Sequence, residues 1–391
     1  MNVLFWMSGY FDRHMTSEHL LIAIIKSLIG QGNAVHIIQK STGGELPPVP
    51  KELDSSLISS TGIPYTIQNK SNFVTRYLHD FKYIWDCKKV IKGDYDAVFI
   101  QSSPVIGLAV WAVKRTLGNN PIVTINVQDI FPYNAVFSGS VRKNSIVFSL
   151  LAALQRYGYK HADHVITISE DMKDTLIKDG TPIENVETIY NWSYQDNLYT
   201  NVDLTSIAHM FDENYFNVVY AGNIGVMQNV GILIEAAKLM KDDKKVWFHI
   251  IGDGVNKNVL ENNAKEYGIT NISFWPMQPS ELAPAIYSAA DVNVIPLVKD
   301  VYKTALPSKT ATCLACQRPI IFAIGKDSKF GQKAMEEAGC PIVEADKPVE
   351  LVEAIRRIQA GGRENKAGEF FLRYCGITEN SKKYADIITK L

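Results

Sequence analysis

Short apolar runs alternate with stretches of helical period along nearly the whole chain. Residues 2–7, NVLFWM, are mostly apolar, as suits a strand covered on both faces. Leu20, Leu21, Ile24, Ile25 and Leu28 then recur at helical spacing, with Thr16 or Ser17 placed to cap. Gly30 and Gly32 close that helix, and 34–39 reads as the next strand. The strand–helix–strand rhythm predicts a parallel sheet. Residues 41–60 are polar with prolines and read as a loop, and 72–92 as a helix. Strands follow at 97–100, 122–127, 165–168 and 186–190, with helices at 105–116, around 147–160 and at 171–179.

After a polar connection at 193–212 the rhythm restarts. Strands are predicted at 217–220, 246–251, 272–275 and 294–297, and helices at 230–240, 258–267 and 281–289. The stretch 294–322 reads as strand, loop, a helix opened by Pro307-Ser308-Lys309, and then a strand from Ile320. Proline suits the first helical position, where its missing N–H costs nothing. Free N–H groups there, with Lys309 beside them, predict a site for a phosphate-bearing ligand. The alternative is an ordinary capped helix with a surface lysine.

Composition narrows this picture. At 391 residues, with 46% hydrophobic and 21% charged residues, the chain fits a soluble protein of two or three domains. A formal net charge of −1 gives no case for nucleic acid. Five scattered cysteines, with only Cys313 and Cys316 at CxxC spacing inside an apolar helix, read as reduced core thiols of a cytoplasmic protein. The opening MNVLFWMSGYF is expected to be a strand and not a signal peptide. No apolar run approaches the ~20 residues needed to cross a bilayer.

In parallel sheets ligands gather at the carboxyl ends of strands. Such ends here carry Ser8-Gly9, Ser102-Ser103 and Gln128-Asp129 in the first half, and Gly222–Gly225 and Gly252–Gly254 in the second. Glycine lets a backbone approach a ligand closely. The G-x-G-x-x-G fingerprint, the Walker loop and the G-x-S-x-G elbow are all absent, which disfavours nicotinamide cofactors, kinases and hydrolases. Asp129, a carboxylate at a strand end, is a functional candidate. His14, His19, His161 and His164 show no ligand spacing and read as packing or surface residues.

Together these residues resemble the retaining GT-B glycosyltransferases of bacterial surface-polysaccharide synthesis, especially the colanic-acid and N-acetyl-fucosamine transferase branch. The likeness runs through Ser102-Ser103-Pro104, Asp129-Ile130-Phe131-Pro132, residues 162–169 (ADHVITIS) and Asn191-Trp192. It continues through residues 220–225 (YAGNIG), residues 251–254 (IGDG), Ala290-Asp291-Val292 and residues 305–309 (ALPSK).

The resemblance implies an α/β fold of GT-B type, two Rossmann-like parallel-sheet domains facing across a cleft. Residues 1–195 would bind the acceptor, 196–375 the nucleotide-sugar, and the helix within 376–391 would pack back on the first domain. It implies transfer with retention from a nucleotide-sugar, UDP-linked by expectation, to a glycan or lipid-linked acceptor, without metal or other cofactor. Asp129 and Lys309 are then the catalytic candidates. Gly222, Asn223, Gly225, Gln228, Gly252, Asp253, Gly254, Ser308 and Thr312 are the donor-binding ones, and Met277 and Glu281 fall where the family contacts the base. Ser8, Gly9, Thr16, Ser102 and Ser103 are acceptor-side candidates. Two departures stand out: the family's paired glutamates fall on Thr304 and Thr312, and its arginine and lysine after the glycine loop fall on Asn223 and Gln228. A nucleotide-sugar epimerase and a binding-only partner of an active transferase are the rival readings.

A lipid-linked acceptor implies contact with the inner face of a membrane. Two segments could supply it. Residues 72–92 interleave Lys82, Lys88, Lys89 and Lys92 with Phe81, Tyr83 and Trp85; residues 142–160 place Ile146, Val147, Leu150 and Leu151 between basic ends. The first is the favoured segment, the second being apolar enough for a core helix.

Overall fold

A computed structural model describes residues 1–11, 18–42, 49–66, 73–118, 120–361 and 365–390. Thr16 and His14, and part of the 41–60 segment, lie outside the described residues. The chain divides into two compact units, Met1–Asn191 with Ile377–Leu391, and Trp192–Gly376.

The first unit is built on seven strands: β1 (Asn2–Trp6), β2 (Ala34–Ser41), β3 (Ile58–Pro64), β4 (Ala97–Ile100), β5 (Ile122–Val127), β6 (His164–Thr167) and β7 (Val186–Thr188). They lie in the order β3-β2-β1-β4-β5-β6-β7, all pairings parallel. The near-continuous apolar strands are explained by helices on both faces, which leave Val3, Leu4, Val98, Phe99 and Ile125 without solvent contact. Around the sheet run α1 (Glu18–Gly30), α2 (Phe73–Val90), α3 (Ile106–Leu117), α4 (Tyr133–Phe137), α5 (Ile146–His161) and α6 (Glu170–Lys178). Ser145 and Ser169 cap α5 and α6 by accepting from Phe148 and Met172 N–H.

β3 corrects the loop expected over 41–60, since its first three residues fall inside that stretch. Its sequence, ISSTGIP, carries neither an apolar run nor clean alternation, because it is an edge strand with one neighbour. Its proline comes last, where no ladder hydrogen bond is forfeited.

The second unit repeats the plan with six strands: β8 (Phe216–Ala221), β9 (Val246–Ile251), β10 (Ile272–Trp275), β11 (Val292–Pro296), β12 (Ile320–Ala323) and β13 (Ile342–Val343). Their order is β10-β9-β8-β11-β12-β13, again all parallel. The helices are α7 (Gly231–Leu239), α8 (Lys257–Glu266), α9 (Ala283–Ala289), α10 (Lys309–Ala315), α11 (Lys329–Ala338), α12 (Pro348–Gln359) and α13 (Ala367–Tyr374). A core of Val218, Tyr220, Leu233, Phe248, Val294 and Ile355 fills the space between sheet and helices. All five cysteines are buried free thiols.

The last helix, α14 (Ile377–Ile388), belongs to the first unit. Tyr384, Ala385 and Ile388 are buried there, Asn126 donates to the Tyr384 hydroxyl at 2.8 Å, and Gln31, just past α1, donates to Asp386 at 2.6 Å.

Both sheets reverse their strand order once, between β1 and β4 and between β8 and β11. At such a switch point adjacent loops leave in opposite directions and open a crevice at the carboxyl ends of the strands. Topology alone therefore selects Ser8-Gly9 with Ser102-Ser103 in one unit and Gly222–Gly225 in the other.

Candidate active site

In the second unit, β8 ends at Ala221 and the chain turns through Gly222 at φ +138°. Next to it, β9 ends at Ile251 and is followed by Gly252 and Gly254 at φ +149° and +154°. These values favour glycine, and space demands it as well. A Cβ on Gly252 would run into the Gly222 carbonyl, and one on Gly254 into the Ile224 carbonyl. The two loops are stitched together: Gly222 N–H donates to Ile251 at 2.9 Å, Ile224 N–H to Asp253 at 2.7 Å, and Asn256 N–H to Ile224 at 3.1 Å. The Tyr220 hydroxyl donates to the Asn223 carbonyl. The result is a rigid surface whose turns present backbone.

Lys309 reaches this surface from α10. Its ammonium donates to the Ala221 carbonyl at 2.9 Å and lies 3.7 Å from the centre of the Tyr220 ring. The side chain keeps part of its exposure, yet burial around the ammonium lowers its pKa from 10.5 to about 8. The Gly222 turn passes so close that a Cβ there would sit 3.1 Å from Nζ. A cation held against glycine turns suits an incoming anion, because the Ala221 carbonyl is a weak partner that a phosphate oxygen outcompetes.

The helix start differs from expectation. Ser308 is the cap residue, without a side-chain bond, and α10 begins at Lys309, so Pro307 stands outside the helix. At seven residues α10 is too short to make a dipole argument, and Lys309 itself carries the anion case. Thr312 is also placed differently from the donor-side expectation. It is buried, and its hydroxyl meets Ser193 at 3.0 Å. Thr304 is buried too, its hydroxyl donating to Val301 at 3.0 Å.

The other donor-side candidates stay near the glycine surface or on exposed positions. Asn223 donates to Gln228 at 3.3 Å, and a Cβ on Gly225 would crowd both side chains. Asp253 is exposed and accepts from Gly254 N–H at 2.8 Å. Met277, Glu281 and Ser308 are exposed. One residue escaped sequence reading: Lys257, first in α8, donates to Gly252 at 3.0 Å and to Trp275 at 3.3 Å. It ties the second glycine loop to the end of β10. Its spacing, three residues past Gly254, was the available signal.

In the first unit, Asp129 follows β5 and accepts from Asn134 of α4 at 2.8 Å. Burial raises its pKa above the usual carboxylate value, with the Asn134 bond opposing the shift. Gln101, just past β4, accepts from Ser8 N–H at 2.9 Å, so the ends of β1 and β4 are joined. Ser102 reaches the Asp129 carbonyl at 3.5 Å, Ser103 accepts from Val105 N–H at 3.3 Å, and the Gly9 carbonyl accepts from Lys40 N–H at 2.8 Å. Asp129, Ser8, Gly9, Ser102 and Ser103 thus share one sheet edge. Among the described residues no cluster of histidine, cysteine and carboxylate groups could hold a metal ion.

Residues 17–192 match the model of Glycosyltransferase Family 4, and residues 215–360 match that of Glycosyl transferases group 1. The chain belongs to the glycosyltransferases. Its two parallel sheets have the GT-B architecture. The transferase is 30% identical over 220 residues to WcaI of Escherichia coli K12, named as a colanic acid biosynthesis glycosyl transferase. That match spans 55% of this chain and 54% of WcaI, about half of either. WbjE of Pseudomonas aeruginosa, named as a glycosyltransferase, is 23% identical over 368 residues, covering 91% of this chain and 89% of WbjE. Among solved structures, Anabaena HepE in complex with UDP superposes at TM-score 0.72 and 13% identity, with 100% of both chains covered. WaaG, a glycosyltransferase of lipopolysaccharide biosynthesis, superposes at 0.71 and 14%, again over 100% of both chains. At these identities the structures speak for the fold.

Proposed function

We propose that the protein transfers a sugar, with retention and without a metal, from a UDP-linked donor to a glycan or lipid-linked acceptor of bacterial surface polysaccharide. The observation that carries this reading is the Lys309 ammonium held 2.9 Å from Ala221 beside the glycine turns of the β8/β11 switch point. Leaving-group departure builds negative charge on the diphosphate, and a fixed ammonium with neighbouring N–H groups stabilises that charge without reorganising. Lys309 supplies the cation that Asn223 and Gln228 lack, and Lys257 holds the second glycine loop in place. Relatives named for colanic acid and lipopolysaccharide synthesis, and a UDP complex of a protein with this fold, support the substrate classes.

A panel of UDP-, GDP- and TDP-sugars, read as nucleotide released with and without glycan acceptors, tests the reading. Release from a UDP-sugar, unchanged by EDTA, is expected; no release from any donor overturns it. An altered sugar in the absence of acceptor would identify an epimerase instead. In the same assay Asp129→Asn is expected to cut turnover about 100-fold, as when a sugar is no longer held in the reacting geometry, with UDP affinity unchanged. Normal turnover would make Asp129 structural.

The membrane part of the proposal moves to α5. No described helix is long and apolar enough to cross a membrane. In α2, Lys82 and Lys89 both pair with Asp86, at 2.6 and 2.8 Å, and Lys88 lies over Trp85 and Trp111. Those pairs lie on the surface and partly neutralise the basic face, with Lys82 and Lys89 still 67% and 63% exposed. The start of α5 is not a core helix: Ile146, Val147 and Leu150 are 80%, 51% and 67% exposed, next to exposed Arg142 and Lys143. Apolar groups that enter a headgroup layer beside basic ones suit an anionic bilayer surface, each cation adding about 1 kcal/mol. Co-sedimentation with phosphatidylserine vesicles is expected, and Ile146→Glu with Leu150→Glu should abolish it. Equal sedimentation of that double variant removes α5 from the reading.

A further inference from the structure

Two half-buried ammoniums reach the glycine turns of the second unit, and both end on backbone oxygens. Lys309 donates to the Ala221 carbonyl at 2.9 Å, beside Gly222. Lys257 donates to the carbonyls of Gly252, at 3.0 Å, and of Trp275, at 3.3 Å. Among the described residues neither lysine pairs with a carboxylate. Asp253, near Lys257 in the chain, is exposed and accepts from Gly254 N–H. Half-buried lysines elsewhere do find one: Lys40 pairs with Asp80 at 2.9 Å, and Lys114 with Asp163 at 3.3 Å.

The root of Lys257 is held firmly against both turns. It is the first residue of α8, and Asn256 before it bonds the first turn twice. The Asn256 N–H donates to Ile224 at 3.1 Å, and its side-chain amide donates to Gly225 at 3.2 Å. An ammonium carries three N–H groups, so two carbonyls leave one for a ligand.

A staple between two carbonyls needs no charge. A neutral donor would join them as well, without drawing an unpaired cation partly out of water. The charge has a use where an anion arrives, because a phosphate oxygen is a stronger partner than a carbonyl. Adjacent strands lie about 4.8 Å apart, so a diphosphate lying across the turns after β8 and β9 meets Lys309 at one end and Lys257 at the other. Beyond Lys257 the chain leaves β10 through Met277, which is 51% exposed and offers an apolar face to a base. The nucleoside then falls on the Lys257 side and the sugar on the Lys309 side.

We propose that Lys257 is a second phosphate-binding cation, holding the phosphate next to the nucleoside while Lys309 holds the one next to the sugar. This rests on the nucleotide-sugar reading of the second unit and adds a ligand contact to the loop-holding role of Lys257.

Calorimetric titrations of the full chain with UDP and with UMP, and saturation-transfer NMR with uridine, test it. Wild-type protein is expected to bind UMP at least about tenfold tighter than uridine. Lys257→Gln should weaken UDP and UMP each about tenfold, as for one charge-assisted bond, and change uridine binding less than about twofold. Lys257→Arg, which keeps the charge, should retain most UMP affinity, and Lys309→Ala should weaken UDP while sparing UMP. Three results each overturn the second cation: equal binding of UMP and uridine by the wild-type protein, unchanged UMP binding by Lys257→Gln, or a loss of uridine in step with UMP. The last would leave Lys257 as a staple of the loops. UDP binding that Lys257→Gln leaves intact removes Lys257 alone, whereas wild-type protein that binds no UDP removes the donor reading with it.

Discussion

Gly252→Ala is expected to eliminate UDP binding while leaving the first unit folded. Residue 252 sits at φ +149°, and an added methyl would meet the Gly222 carbonyl across the two stitched loops. Backbone strain of this kind costs about 1–3 kcal/mol, and forcing an extra methyl against rigid backbone about 1–3 more. The loops can relieve that only by separating, which breaks the Gly222–Ile251 and Ile224–Asp253 bonds and dismantles the cradle. Calorimetric titration with UDP, paired with thermal unfolding followed by circular dichroism, measures both effects. Wild-type affinity in the variant would show that these turns are not where the nucleotide lies.

Lys309→Ala should weaken UDP binding by about 1.5–3 kcal/mol, the worth of a charge-assisted hydrogen bond. The pH dependence is the sharper signature. With a pKa of about 8, Lys309 is mostly charged at neutral pH and loses its charge within the range where proteins remain folded. The charged form binds diphosphate, so affinity should be full below pH 8 and fall by up to about tenfold per unit above it. Lys309→Arg should flatten that profile, since a guanidinium stays charged. A flat profile in the wild-type protein removes Lys309 from the phosphate site. Stability runs the opposite way. The folded pKa lies below the unfolded value, so between about pH 8 and 10.5 the unfolded chain binds more protons, and this group's contribution favours folding more as pH rises.

How much of this was legible in the sequence depended on whether the signal was local. The glycine turns and Asp129 announced themselves because each directly follows an apolar strand, and strand ends are where ligands bind. β3 was partly hidden because ISSTGIP, covered along one edge only, has no need of a continuous apolar run. The start of α5 reads as core by hydropathy, since leucine and isoleucine look alike whether they face a sheet or open solvent. Thr312 resembles a ligand position in register, yet its helix turns the hydroxyl onto Ser193. Lys40 and Asp80 could not be paired by reading, because forty residues separate them and only the β2–α2 packing brings them to 2.9 Å.

The return of α14 to the first unit has a consequence for biosynthesis. Trp192–Gly376 is one uninterrupted segment, so the second unit has all its parts once that segment has left the ribosome. The first half does not. Its sheet is complete by β7, but Asn126 stays without the Tyr384 hydroxyl, and the apolar surface that buries Ala385 and Ile388 stays bare, until α14 emerges. The first unit is begun before the second and completed after it, and on the growing chain it must tolerate an open apolar groove that is a target for chaperones. A nascent chain arrested just past Gly376 should therefore resist protease over 192–376 while being cleaved within 1–191.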